Sequence, residues 1–122
     1  MESWLDRVID ELLLKIEVPI TLKGFAHTNR AIKILLSNPE IPMKELYHQI
    51  AATCNITPSA VERNIRGVVN SCVKNQTETY TQLFSNTFKV TNSMFLAMIT
   101  RHIKLDISLD HCPYCQQRIY RI

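Results

Sequence analysis

An all-α fold is predicted for this chain, a bundle of about six helices containing a helix-turn-helix, and three observations carry that expectation. Apolar residues recur at three- and four-residue spacing along most of the sequence, strand-like alternation is almost absent, and the breaks fall at proline and asparagine. Leu5, Val8, Ile9, Leu12, Leu13 and Ile16 give a first amphipathic helix, with Glu2 and Asp6 near its positive end. Trp4 reads as a core or lid residue of that helix, and Val18-Pro19 should stop it. A second helix is expected from about Gly24 to Ser37, with Ala31, Ile32, Leu35 and Leu36 inward and Asn38-Pro39 closing it. Residues Lys44 to Asn55 read as a shorter helix ending in a tight turn.

The next stretch, Thr57-Pro58-Ser59-Ala60-Val61-Glu62-Arg63-Asn64-Ile65-Arg66, is the most informative in the chain. Thr57 is suited to an N-cap because its hydroxyl can accept a free backbone N–H. Pro58 suits the first helical position, where a missing N–H costs nothing. Small Ala51 permits a close helix crossing, and Asn55 tolerates a positive φ better than most residues. Ile50, Cys54, Ile56 and Val61 should lock the two helices together. Val61, Ile65, Val68 and Cys72 share one stripe, while Ser59, Arg63, Arg66, Asn70 and Lys74 fall on the opposite side with Glu62 on its flank. A polar helix face is by default a solvated face; the turn signature ahead of this one is what points to a helix entering the major groove of DNA. Beyond it, a short helix around Glu78 to Ser85 should bury Tyr80, Leu83 and Phe84. A last helix opens after Thr91-Asn92 and carries Phe95, Leu96, Ile99 and Ile103.

Composition sets the outer limits. The 122 residues make one domain by length, and 46% apolar content is enough for a core. A net charge of +3 is compatible with a nucleic-acid partner without establishing one. No apolar run approaches the ~18 residues of a membrane span. Leu12-Leu13-Leu14 lies between Glu11 and Lys15, so neither an anchor nor a signal peptide is expected, and the chain reads as cytoplasmic. His27 and His48 read as surface residues on helices. No Ser/His/Asp arrangement or phosphate-cradling glycine loop is legible, so an enzyme is not expected.

The residues also carry a family resemblance. Val18-Pro19, Lys23-Gly24, Ala31-Ile32, Leu46-Tyr47, Ile50-Ala51, Val61-Glu62-Arg63, Ile65-Arg66, Leu83-Phe84, Thr91-Asn92-Ser93 and Phe95 through Ile99 resemble the C-terminal effector domain of the master sporulation response regulator of endospore-forming bacteria. The resemblance spans Val8 to Leu105, in the same order and with nearly the same spacing. It implies a six-helix, DNA-binding transcription-factor domain that binds direct-repeat boxes as a head-to-tail pair and touches the sigma subunit of RNA polymerase. It also implies that Glu62, Arg63 and Arg66 face the groove. An arginine fork suits guanine O6 and N7, and a glutamate can accept from cytosine N4. Ala60 stands where the family has another arginine and Gly67 where it has a histidine, which puts the affinity and the target in question. The family protein has an N-terminal receiver phosphorylated on aspartate. Met1 just ahead of the effector-like segment gives the expectation of a free-standing effector, competent for DNA without phosphorylation.

The division expected is a DNA-binding domain over residues 1–106 and a cysteine-containing tail over 107–122. Three readings of His111-Cys112-Pro113-Tyr114-Cys115 compete. Cys112 and Cys115 are half of a tetrahedral zinc site, completed by His102, by His111 or by a second chain. Cys-Pro-Tyr-Cys is also the glutaredoxin tetrapeptide, though no thioredoxin-like fold surrounds it. The third reading is a tail that is inert or reversibly oxidised in a reducing cytosol. Cys54 and Cys72 lie on apolar faces and read as core.

The function read from these features is sequence-specific binding of duplex DNA in transcriptional control linked to sporulation. Glu62, Arg63 and Arg66 would read bases, and Ser59, Asn70 and Lys74 would contact phosphates. Lys44, His48 and Gln49 on the preceding helix would reach the flanking backbone. The alternative is a protein-interaction module that has lost DNA binding and antagonises a full-length regulator or its sigma factor; Ala60 and Gly67 favour it. A zinc- or thiol-linked homodimer whose tail controls DNA binding is the third possibility. The seam of the helix pair is directly testable. Val61→Asp places an unpaired charge there and should unfold or severely destabilise the domain, and unchanged thermal melting would show the pair to be drawn wrongly.

Overall fold

Each helix begins or ends on a residue whose chemistry explains the boundary. The computed structural model describes residues 4–19, 22–84 and 89–110, with side chains through Leu105. Among these residues it has six helices and no strand: α1 (Trp4–Lys15), α2 (Lys23–Ser37), α3 (Met43–Cys54), α4 (Pro58–Asn75), α5 (Glu78–Phe84) and α6 (Asn92–Asp110). Three helices start behind a threonine whose hydroxyl accepts from the third helical N–H: Thr57 from Ala60 at 3.1 Å, Thr77 from Tyr80 at 3.1 Å and Thr91 from Met94 at 3.2 Å. Three helices end on a left-handed residue other than glycine: Glu17 (φ 62°), Asn55 (φ 59°) and Gln76 (φ 49°). Asn55 thus adopts the conformation its type suggests.

The stop after α1 differs from the sequence reading. The helix ends before Val18-Pro19, in a Schellman motif built on Glu17. Its N–H donates to the Leu14 carbonyl at 2.9 Å, and the Val18 N–H reaches the Leu13 carbonyl at 3.0 Å. Val18 and Leu13 are both buried, which supplies the apolar contact that accompanies the motif. The α6 helix runs to Asp110. Glu2 and Ser85 lie outside the described residues.

The core is continuous through the bundle. The expected inward residues of α1, α4 and α6 are buried except Leu5, which like Leu35, Leu36, Cys54 and Leu83 is only half-buried. Two apolar assignments are corrected. Trp4 is 43% exposed and does not belong to the core, and Ile56, directly after the left-handed Asn55, is 37% exposed. Rings of Tyr80 and Phe84 stack at 4.6 Å and those of Phe84 and Phe95 at 5.6 Å, joining α5 to α6. Lys33 pairs with Asp6 at 2.6 Å and the Asn29 amide donates to Asp10 at 2.6 Å, tying α2 to α1.

Helix α4 packs most extensively on α2, and also on α3 and α6. Gly24 is where α2 comes closest. A Cβ there would lie 2.3 Å from the backbone oxygen of Asn64 and 2.6 Å from Cγ2 of Val68. Only glycine fits that contact, because the obstructing atom is backbone and cannot swing aside. Gly67 is the opposite case: a Cβ there would meet nothing within 4 Å. Gly24→Ala should therefore destabilise by ~3 kcal/mol through overpacking, while Gly67→Ala should stabilise by ~1 kcal/mol through helix propensity. Denaturant titration of both variants measures the two effects, and equal outcomes would contradict the crossing described.

Candidate nucleic-acid interface

The face of α4 opposite the core is built by period alone. Val61, Ile65, Val68 and Cys72 are buried on one side, and Ser59, Arg63, Arg66, Asn70 and Lys74 are exposed on the other. Lys44, His48 and Gln49 are exposed on α3. His48 Nδ1 lies 2.8 Å from the Lys44 carbonyl, which holds the ring along its own helix. The turn between the two helices is closed by the Ile56 N–H on the Ala51 carbonyl at 3.1 Å, and Ala51 is buried where the helices cross. The helix-turn-helix expected from the sequence is formed.

Glu62 stands apart from the exposed residues of α4. It is half-buried, and its Oε1 pairs with Arg66 Nη2 at 3.2 Å, one helical turn on. The Asn92 amide donates to the Glu62 backbone oxygen at 3.1 Å, to Glu62 Oε2 at 3.4 Å and to the Tyr47 hydroxyl at 3.1 Å. Burial pushes the Tyr47 hydroxyl pKa up, so the phenol keeps its proton at neutral pH. A groove lined by Tyr47, Glu62, Arg66, Asn70, Lys89 and Ser93 runs beside this cluster. Sequence reading assigned no site role to Tyr47, Lys89 or Asn92. Tyr47 and Asn92 lie within segments that carry the family resemblance, which was the available signal.

The family described as sporulation initiation factor Spo0A C terminal matches residues 9–103 of the chain. The chain belongs to this family. The Spo0A C-terminal domain is the DNA-binding effector of a sporulation transcription factor and is not an enzyme. The match covers α2 to α5 in full, α1 from Ile9 onward and α6 as far as Ile103, so the helix-turn-helix lies wholly within the Spo0A C-terminal region. No helix among the described residues is long and apolar enough to cross a membrane.

Among the described residues, no cluster of three or more His, Cys, Asp or Glu side chains is placed to hold a metal ion. Cys72 is fully buried, and that burial pushes its thiol pKa up to about 12, so it is a packing residue and not a thiolate. His111, Cys112 and Cys115 lie outside the described residues.

On α2, His27 corrects the sequence expectation of a surface residue: it is 6% exposed, beside Asn64 of α4. Its Nδ1 lies 3.4 Å from the Asn64 amide nitrogen, an arrangement that suits a neutral ring accepting from the amide. Burial foremost, and then the charges of Arg30 and Lys23, hold its pKa below the ordinary value of 6.5. The unfolded chain therefore binds the proton more readily than the folded one. The stability linked to this ring is present above pH 6.5 and is lost as pH falls beneath it. Melting temperature should drop on acidification through that range. The drop should be smaller in His27→Gln.

Proposed function

We propose that α4 inserts into the major groove of duplex DNA and reads it through Arg63 and Arg66, with Glu62 discriminating beside Arg66. The observation that carries this reading is the exposed stripe from Ser59 to Lys74, containing both arginines, on a helix that follows a threonine-capped turn. Each arginine presents a fork of donors suited to guanine O6 and N7, and the Glu62 carboxylate retains lone pairs for a cytosine amine. Ser59, Asn70 and Lys74 hold phosphates, which fix register without specifying sequence. Lys44, His48 and Gln49 reach the flanking backbone from α3. Membership of the Spo0A C-terminal family supports a cytoplasmic regulator that pairs head to tail on direct repeats and meets the sigma subunit.

Selection of bound duplexes from a random pool tests the reading, because an enriched motif supports it. An unenriched pool favours the interaction-module alternative, to which the empty space around Gly67 lends weight. Arg63→Ala should weaken binding to the selected duplex by ~1–3 kcal/mol and relax preference at one base step. Lys74→Ala should weaken all sequences alike and lower the salt slope by about one. Equal, sequence-independent losses in both variants would remove Arg63 from the base-reading set.

A further inference from the structure

Arg66 is a long side chain, 54% exposed, and an exposed pair with a residue four positions earlier holds such a chain only weakly. Glu62 can orient it only if the carboxylate is itself held. The structure supplies that hold from another helix. Asn92, the first residue of α6, lies within 3.1 Å of the Glu62 backbone oxygen and 3.4 Å of its Oε2. Both of these atoms can only accept, so the NH₂ end of the amide must face them. One amide nitrogen thus spans the backbone and the side chain of the same residue, which restricts the rotation of Glu62. Asn92 is held in turn by the Tyr47 hydroxyl of α3 at 3.1 Å and by its place directly after the Thr91 cap.

We propose that Asn92 and Tyr47 are positioning residues for base reading: the chain Tyr47–Asn92–Glu62–Arg66 holds the Arg66 guanidinium ready for its base, and so sets specificity at that one step. The inference rests on the reading of Arg66 as a base-contacting residue. Its physical content is pre-organisation. An arginine fixed before binding loses less conformational freedom on meeting guanine, and the gain falls on the base whose geometry suits the fixed fork. Arg63 has no part in this chain of contacts, so its base step serves as an internal control.

The test is duplex selection and competition binding with the wild type, Arg66→Ala, Glu62→Ala, Asn92→Ala, Tyr47→Phe and the Glu62→Ala, Asn92→Ala double variant. Arg66→Ala identifies the base step that Arg66 reads. Asn92→Ala should then lose about tenfold of discrimination at that step, within the range of one good side-chain–base pair. Preference at the Arg63 step should stay within about twofold, because a merely structural defect would weaken both steps together. Adding Asn92→Ala to Glu62→Ala should cause no further loss, since both act through the same carboxylate. Tyr47→Phe keeps the ring and removes only the hydroxyl; it should show a smaller loss at the same step, and it remains informative if Asn92→Ala fails to fold. An enriched wild-type motif with unchanged preference in both Asn92→Ala and Tyr47→Phe overturns the inference alone. A uniform loss across all steps overturns it as well. A wild-type pool with no enriched sequence overturns the base-reading assignment beneath it.

Discussion

The approach of α2 onto the backbone of α4 at Gly24 is the constraint on which the rest of the molecule depends. Two helices whose backbones nearly touch cannot slide or rotate past each other without the Asn64 carbonyl or Val68 colliding with α2. That contact fixes the rotation of α4 about its own axis, and the rotation decides which residues face outward. The α3 seam through Ala51 and the α6 contact restrain the same helix from other sides. The outward stripe from Ser59 to Lys74 is in this sense a product of the packing behind it.

How much of this was legible in the sequence depended on how local the cause was. The starts of α4 and α6 could be read because a threonine cap acts within three residues, and the Asn55 turn because few residue types accept its conformation. The single-stripe helices α1 and α4 were legible for the same reason. Helix α2 was not. It is packed by α1, α3, α4 and α6, so it is buried on more than one side, and a wheel drawn for one apolar stripe leaves His27, Thr28 and Asn29 outside. Glu17 was missed because a left-handed cap on glutamate has no compositional signature. Asn92 was missed because its partners lie 30 and 45 residues away.

The candidate reading face shows two electrostatic regimes side by side. Arg63 stands in solvent, where its charge is screened and its side chain samples many rotamers. Arg66 carries a carboxylate neighbour that offsets part of its charge and narrows its orientations. The first arrangement favours attraction to any phosphate-rich surface, and the second favours selection among bases at some expense in attraction. The presence of both on one helix is consistent with an interface that must find DNA and then choose within it.

Gly67 gives this arrangement a further property. It sits on the exposed face of α4, and a Cβ there would meet nothing within 4 Å. A side chain introduced there displaces no packed atom, so beyond the gain in helix propensity it leaves the fold as it is. The candidate interface thus has, at Gly67, a place where a side chain can change while the scaffold stays the same.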